Sequence, residues 1–396
     1  MALSDHDQRS ARGDITVGAL DGVRVIELAG IGPGPFCGMM LADMGADVVR
    51  IDRAASVRGG DPDHPPASVN GRGRRSIGVD LKSDAGRELV LRLVEGADVV
   101  FEGFRPGVAE RLGIGPDDCL ARNPALVYGR MTGWGQDGPY AASAGHDINY
   151  IALAGVLAHM GRHDTGPVPP LNLVGDMGGG GMYLAYGIVC ALLSAQRTGV
   201  GQVVDAAMVD GAASLMAFFY GMLQTGCSTP NRGENMLDTG AHFYDVYECS
   251  DGEYISLGSI EPQFYAEMVE KLGLDPEDFA DQHDRSRWPE LKEKVAAVVA
   301  TRTRDEWDVV LEGTDVCYAP VLAVSEAAEH PHNVARGTFV DIGGIVQPGP
   351  APRLSATPGE VRRPPPHEGQ HTDELLAEAG LGDDEVAALR ESGAVA

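Results

Sequence analysis

The chain has 396 residues, enough for two domains with a core each, and its 43% apolar and 22% charged content is that of an ordinary globular protein. The net charge of −27 argues against a nucleic-acid partner, because phosphate backbones need a basic face. No uninterrupted apolar run approaches the roughly 20 residues of a membrane span, so no membrane association is expected.

The polar opening MALSDHDQRSARGD lacks the apolar core of a signal peptide, and the closing SGAVA matches neither a peroxisomal address nor a lipidation box. Cys37, Cys119, Cys190, Cys227, Cys249 and Cys317 lack CxxC spacing and sit mostly among apolar neighbours. They read as reduced core thiols of a cytoplasmic protein. No His/Cys cluster has metal-ligand spacing, and no metal is expected.

In chain order, residues 1–17 read as a polar extension, and 18–225 as the N-terminal part of a large domain. Within it VRVIEL, ADVVRI, SIGVDL, ADVVFEGF and ALVYGRM look like buried strands. DAGRELVLRLVEG carries apolar residues at helical spacing between two of them. Strand–helix alternation predicts an α/β domain on a mostly parallel sheet. DINYIALAGVLAHM and GGGGMYLAYGIVCALLSAQRTG read as longer helices, followed by the strand QVVDAAMV and the helix DGAASLMAFFYGMLQTG.

Residues 226–240 read as a linker and 241–335 as a smaller α+β domain. That domain opens on a hairpin, HFYDVYECSDGEYISLGS, with an Asp-Gly turn, and continues in helical segments at EPQFYAEMVEKLG and WPELKEKVAAVVATRTRDEWDVVLEG. Residues 336–396, with QPGPAPRL and RRPPPHEG, read as a proline-rich surface return ending in the short helix DDEVAALRESG.

GIGPGPFCG, residues 30–38, follows a strand and precedes a helix, as a dinucleotide loop would. Asp52 even ends the second strand where a ribose-binding acid could lie. Against that, Pro33 and Pro35 remove N–H donors, and Pro35 stands where the third glycine of the fingerprint belongs. The loop therefore reads as a rigid, close-packed corner, and no nicotinamide or flavin cofactor is expected. Between Arg50 and Lys82 seven basic residues meet four acidic ones. That local excess in an acidic chain is compatible either with a small anionic ligand or with a solvated loop.

Three polar groups stand at helix entrances in apolar settings: His146 in SAGHDINYIALAG, Asp176 in PPLNLVGDMGGGG and Glu261 in SLGSIEPQFY. Unpaired N–H groups there favour negative charge. Taken alone, Asp147 and Asp176 read equally well as helix caps, His146 as a structural histidine and Glu261 as a first-turn acid.

ELAGIGPGPFCGMMLADMGADVVRIDR, EGFRPGVAERLGI, MTGWGQDGPY, GHDINYIALAG and PVPPLNLVGDMGGG, with MVDG and GSIEPQFY, resemble the α-methylacyl-CoA racemases of the class III CoA-transferase superfamily (the CaiB/BaiF type). The similarity runs from about residue 18 to the end. It implies proton removal and return at the α-carbon of a 2-methylacyl-CoA thioester through a planar enolate. By matching, His146 and Asp176 are the two bases, and Glu261 orients the histidine. The Asp147 amide is the candidate donor to the developing enolate.

The resemblance also implies a CoA site lined by Arg53, Val79, Asp80, Leu81, Lys82, Gly103, Phe104, Arg105 and Arg111, with Gly145, Asp147 and Tyr150 alongside. Whether Arg72, Arg74 and Arg75 reach a CoA phosphate or decorate their loop stays open. Met160, Met177, Met182, Met208, Met216, Met222 and Met236 are candidates either for an adaptable acyl surface or for ordinary core filling. No cofactor is implied, since CoA is part of the substrate. The implied fold is a Rossmann-like large domain plus a smaller α+β domain, in an interlocked homodimer.

Two rivals remain. A class III CoA-transferase would use Asp176 as nucleophile, but an apolar residue typically stands where this chain has His146. A non-catalytic CoA-binding relative would bind CoA without turnover.

Overall fold

The computed structural model describes residues 18–396, and the extension read at 1–17 lies outside the described residues. The chain folds into two compact units. One gathers the chain up to Ile151 with Asn172–Leu215 and Gly337–Ala396; the other gathers Ala152–Leu171 and Met216–Arg336.

The first unit is built on six parallel strands: β1 (Arg24–Leu28), β2 (Asp47–Arg53), β3 (Arg74–Val79), β4 (Val99–Glu102), β5 (Val127–Thr132) and β6 (Gln202–Ala207). Their order is β3-β2-β1-β4-β5-β6. All six follow from their apolar, β-branched runs; β1 to β5 are covered on both faces, whereas the edge strand β6 is mostly exposed. The sheet alternates two faces. Ile26, Val49, Ile77 and Val100 pack with Leu89, Val90, Leu375 and Leu376. Val25, Val48, Val99 and Val127 pack with Cys37, Leu41, Leu184 and Ile188.

The helices differ in detail from the sequence reading. Residues 147–160 form a short helix, Asp147–Leu153, and a separate 3-10 turn, Leu157–His159, rather than one long helix, because Gly155 between them takes a positive φ of 80°. The helix expected from the glycine run begins earlier, at Leu173. Its turns through Met182 are wide, with the Met177 N–H reaching back five residues to the Asn172 carbonyl at 3.3 Å. It continues to Thr198, and Leu173–Thr198 is long and apolar enough to cross a membrane by length and composition. Small and polar residues punctuate this stretch, so no uninterrupted apolar run marks it in the sequence. Leu184, Ala185, Ile188 and Leu192 of this helix are buried in the sheet's core.

The proline-rich return holds more structure than its composition predicts. Phe339–Ile342 and Ile345–Pro348 form a hairpin closed by Gly343 and Gly344. The helix Thr372–Glu378 buries Leu375 and Leu376, and the C-terminal Val395 bridges Val79 at the edge of β3. Arg72 and Arg75 tie this return to the sheet, and Arg74 ties β3 to β1 and the loop after it. Arg72 donates to Asp43 at 2.6 Å and to Gln347 at 2.9 Å. Arg74 is paired with Glu27, both buried, and Arg75 reaches Asp47 at 2.7 Å and Glu374 at 2.6 Å. None of the three decorates a surface loop. Of the six cysteines, Cys37, Cys119 and Cys249 are buried, but Cys190, Cys227 and Cys317 are exposed in this chain. All six are free.

The second unit carries an antiparallel sheet of Tyr244–Glu248, Tyr254–Gly258 and Tyr318–Val321. The first two form the hairpin expected from its Asp-Gly turn; the third, YAPV, is too short and proline-broken to read as a strand. Helices Pro262–Leu272, Trp288–Val299 and Arg304–Leu311 cover it, with Phe243, Trp288 and Trp307 at the core. Residues 226–240 form a series of turns, within which the buried Asn235 side chain donates to the Thr229 and Asn231 carbonyls at 3.1 and 3.0 Å.

His242 is fully buried in this unit, its Nε2 2.7 Å from the Tyr265 hydroxyl. Burial, reinforced by the Lys292 and Arg287 charges, lowers its pKa from 6.5 to about 3. Between those values the unfolded chain binds the proton and the folded chain does not, so stability falls as pH drops, by up to about 1.4 kcal/mol per pH unit. Urea titrations of the native chain are expected to lose more stability between pH 6.5 and 4.5 than those of His242→Gln; parallel losses would show that this histidine does not set the acid sensitivity.

Candidate active site

The carboxyl ends of the parallel strands converge on one edge of the sheet, and the order reverses between β1 and β4. Loops leaving adjacent strands diverge at such a point and open a crevice. Here the crevice is a cavity of about 480 Å³. The loop after β1 supplies Gly30–Gly34, β4 is followed by Gly103, Phe104 and Arg105, and β5 by Gly133 and Trp134. The long crossover from β5 to β6 supplies Gly145, His146, Tyr150, Asn172 and Asp176. His146 and Asp176, 30 residues apart, thus line one cavity.

His146 stands at the entrance of the helix Asp147–Leu153 and is exposed. Its backbone N–H donates to the Asn149 side chain at 3.0 Å, and its carbonyl accepts the Asn149 N–H at 2.8 Å. Asp176 lies within the opening turns of the wide helix, not ahead of it as the sequence suggested. Its carboxylate accepts the Asn172 amide at 3.0 Å. Its backbone N–H, an amide that the first helical turn leaves unpaired, donates to the Asp147 Oδ1 at 2.6 Å. Asp147 therefore caps the helix that carries Asp176 rather than its own.

The glycine-proline loop bears on the same carboxylate. Gly32 has φ 67° and ψ −117°, a conformation that side chains disfavour, and a β-carbon there would stand 3.0 Å from the Asp176 Oδ2. Pro33 begins the next helix, where its missing N–H costs nothing. The loop is a close-packed corner against the proposed base.

Glu102 holds the loop after β4. Its Oε2 accepts the Phe104 N–H at 2.6 Å and its Oε1 the Arg130 Nε at 3.2 Å. Burial pushes its pKa up to about 7, against the pull of the Phe104 N–H and the Arg130 charge. Tyr150 packs edge-on against Trp134, with ring centroids 4.7 Å apart. Burial raises its pKa; the Asp176 charge adds to that and the Arg105 charge opposes it.

Gly103, Phe104, Arg105, Gly145 and Tyr150 thus line the cavity with His146 and Asp176. Arg53, Val79, Asp80, Leu81, Lys82, Arg111 and Asp147 do not. Arg53 and Val79 pair in register at the ends of β2 and β3, on the same edge of the sheet. The Val79 side chain is buried in the core, whereas Arg53, Lys82 and Arg111 are exposed. Arg72 and Arg74 are engaged in buried ion pairs, and the buried Arg75 guanidinium pairs with carboxylates nearer the surface. Of the methionines singled out from sequence only Met208 lines the cavity, joined by Met131. Glu261 belongs to the second unit, exposed at the N-terminus of the helix Pro262–Leu272. Among the described residues no cluster of His, Cys, Asp and Glu could hold a metal ion.

Asn172, Asn149 and Glu102 escaped the sequence reading. The first stands four residues before Asp176, a helical spacing that would have revealed it had the helix been started at Leu173.

An imidazole and a carboxylate line one cavity at the carboxyl edge of a parallel sheet, the two kinds of group that acid–base chemistry uses, in a mixed α/β fold. The chain belongs to CoA-transferase family III, whose profile matches residues 20–372. It is 46% identical to the α-methylacyl-CoA racemase of mouse over 372 residues, 93% of this chain and 96% of that one. The human α-methylacyl-CoA racemase is 45% identical over 371 residues, covering 93% and 95%. A crystal structure of a CaiB/BaiF family protein from Brucella suis superimposes with a TM-score of 0.79 at 28% identity, covering 92% of this chain and all of that one.

Gly32→Ala is expected to lower stability by about 1–3 kcal/mol, from the strained φ and the crowded Asp176 carboxylate. Thermal unfolding measures this, and a native midpoint would show that the corner tolerates a side chain.

Proposed function

We propose that this protein racemises 2-methylacyl-CoA thioesters by proton transfer at the α-carbon, with His146 and Asp176 as the two bases. The enzyme class rests on the two racemases that share 45–46% of its sequence over nearly the full chain. The observation that carries the residue roles is the single cavity that receives both His146 and Asp176.

The α-hydrogen of a thioester is weakly acidic, so a base must meet it while a donor meets the carbonyl oxygen. One group, imidazole or carboxylate, takes the proton from its face, and the C–H electron pair moves into the enolate. The other group, entering protonated, gives its proton to the opposite face, and a C–H bond forms with inverted configuration. After one inversion each base holds the protonation state that the reverse inversion needs. The Asp147 amide, first in its helix, is the donor proposed for the enolate oxygen.

Arg105 at the cavity and Arg53, Lys82 and Arg111, exposed near the strand ends, supply the cations for the CoA phosphates. Val79, Asp80 and Leu81 shape that edge, and Gly103, Phe104, Gly145 and Tyr150 form the wall along the thioester. Replacing His146 or Asp176 by Ala is expected to cut the racemisation rate by about 10²–10⁴-fold. With one enantiomer of an acyl-CoA in deuterium oxide and no acceptor acid, deuterium should enter C2 as chirality is lost. An absence of exchange, with activity appearing only when an acceptor acid is added, would replace this reading with CoA transfer through Asp176.

We further propose an interlocked homodimer in the cytoplasm, in which Glu261 of one chain orients the His146 ring of the other. Its support is an apolar row on the helix Tyr183–Thr198 and the turn before it, where Met182, Tyr186, Val189 and Leu193 are exposed at helical spacing. In this reading Leu173–Thr198 is a core and interface helix, not a membrane span. Activity per chain is expected to fall on dilution in step with dissociation seen by ultracentrifugation; a fully active monomer would refute the shared site.

A further inference from the structure

We infer that the Asp147 carboxylate is a positioning residue: it clasps the helix entrance bearing His146 to the turn bearing Asp176, and so sets the gap in which the α-carbon must lie. The inference rests on the roles proposed above for His146 and Asp176.

Asp147 follows His146 directly in the chain, so its carboxylate moves with the histidine's backbone. That carboxylate accepts the Asp176 N–H at 2.6 Å. The two proposed bases are therefore joined by one hydrogen bond and the short backbone on either side of it. The contact is built rather than incidental. Asp147 is only 6% exposed, and a β-carbon on Gly175 would fall 2.4 Å from its Oδ1 and 2.7 Å from its Cγ. Any residue but glycine before Asp176 would push the carboxylate away.

The arrangement is a poor one for stability alone. The second oxygen, Oδ2, is buried with no hydrogen-bond partner, and a buried unsatisfied polar group costs free energy. Among the described residues no cation is paired with this carboxylate; the charged group that acts on it is the Asp176 carboxylate. Burial raises the Asp147 pKa, the Asp176 N–H lowers it, the Asp176 charge raises it again, and the Gly175 N–H lowers it. A residue kept for packing would be better as a neutral side chain. What the carboxylate supplies is a fixed distance between two loops.

The test measures racemisation of 2-methyldecanoyl-CoA by native enzyme, Asp147→Ala, Asp147→Asn and Gly175→Ala, each checked for folding by thermal unfolding. A misplacement of about 1 Å at a reacting centre costs on the order of 100-fold, so Asp147→Ala and Gly175→Ala should lose about that in kcat with KM within about threefold. Asp147→Asn keeps an oxygen acceptor for the Asp176 amide and should recover kcat to within about tenfold of native. Folded Asp147→Ala with native kcat, a loss that falls on KM instead, or an Asn variant no better than Ala would each overturn the clasp. His146→Ala and Asp176→Ala, run alongside, separate the two claims: if either still racemises at the native rate, the proposed roles fail, whereas if both are inactive and Asp147→Ala is not impaired, only the clasp fails.

Discussion

One hydrogen bond, from the Asp176 backbone amide to the Asp147 carboxylate, joins the two helix entrances on which the proposed chemistry stands. Each entrance is a segment of the long crossover between β5 and β6, and nothing in sequence spacing alone would hold them at a fixed distance. The sheet brings them to the right edge, the reversal between β1 and β4 leaves room beneath them, and the carboxylate fixes their register. The glycine-proline corner completes the arrangement from the far side, where Gly32 lies so close to Asp176 that a methyl group would crowd it.

Charge is distributed with a similar division of labour. The segment from Arg50 to Lys82 is basic in an acidic chain, yet its most clustered arginines point inward. Arg74 with Glu27 and Arg72 with Asp43 are buried pairs, whose strength lies less in net stability than in the cost of breaking them. Arg72, through Gln347, and Arg75, through Glu374, pin the return segment to the start of a strand whose far end carries Val79. Arg53, Lys82, Arg105 and Arg111 are exposed outside these pairs and are the cations proposed to meet an anionic substrate. An overall charge of −27 would repel a CoA thioester unless such a local exception existed.

The sheet was legible in the sequence because each of its six strands is a short apolar run between helical or glycine-rich segments. The hairpin at Tyr244–Gly258 announced itself by its Asp-Gly turn. Elements whose signal is tertiary were not legible. Tyr318–Val321 is a strand only because Tyr254–Gly258 offers it an edge, and Phe339–Pro348 pairs across two glycines inside a proline-rich stretch. The wide turns at Leu173–Met182 have no sequence period of their own. At the site, His146 and Asp176 were visible as polar groups in apolar helix entrances, and family resemblance gave them roles. The Asp147 contact was not visible, because a side chain that caps a helix 29 residues away follows no local spacing rule. Nor could spacing tell a phosphate-binding arginine from a buried one: Arg72, Arg74 and Arg75 read alike with Arg53 until their carboxylate partners are seen.

The central claim is that an imidazole and a carboxyl group flank one substrate carbon. A crystal structure of the protein with a non-epimerisable thioether analogue of a 2-methylacyl-CoA tests it most directly. The account predicts the analogue's α-carbon between the His146 ring and the Asp176 carboxylate, one on each face. Finding both groups on the same face, or the α-carbon outside the cavity below the β1–β4 reversal, would contradict it.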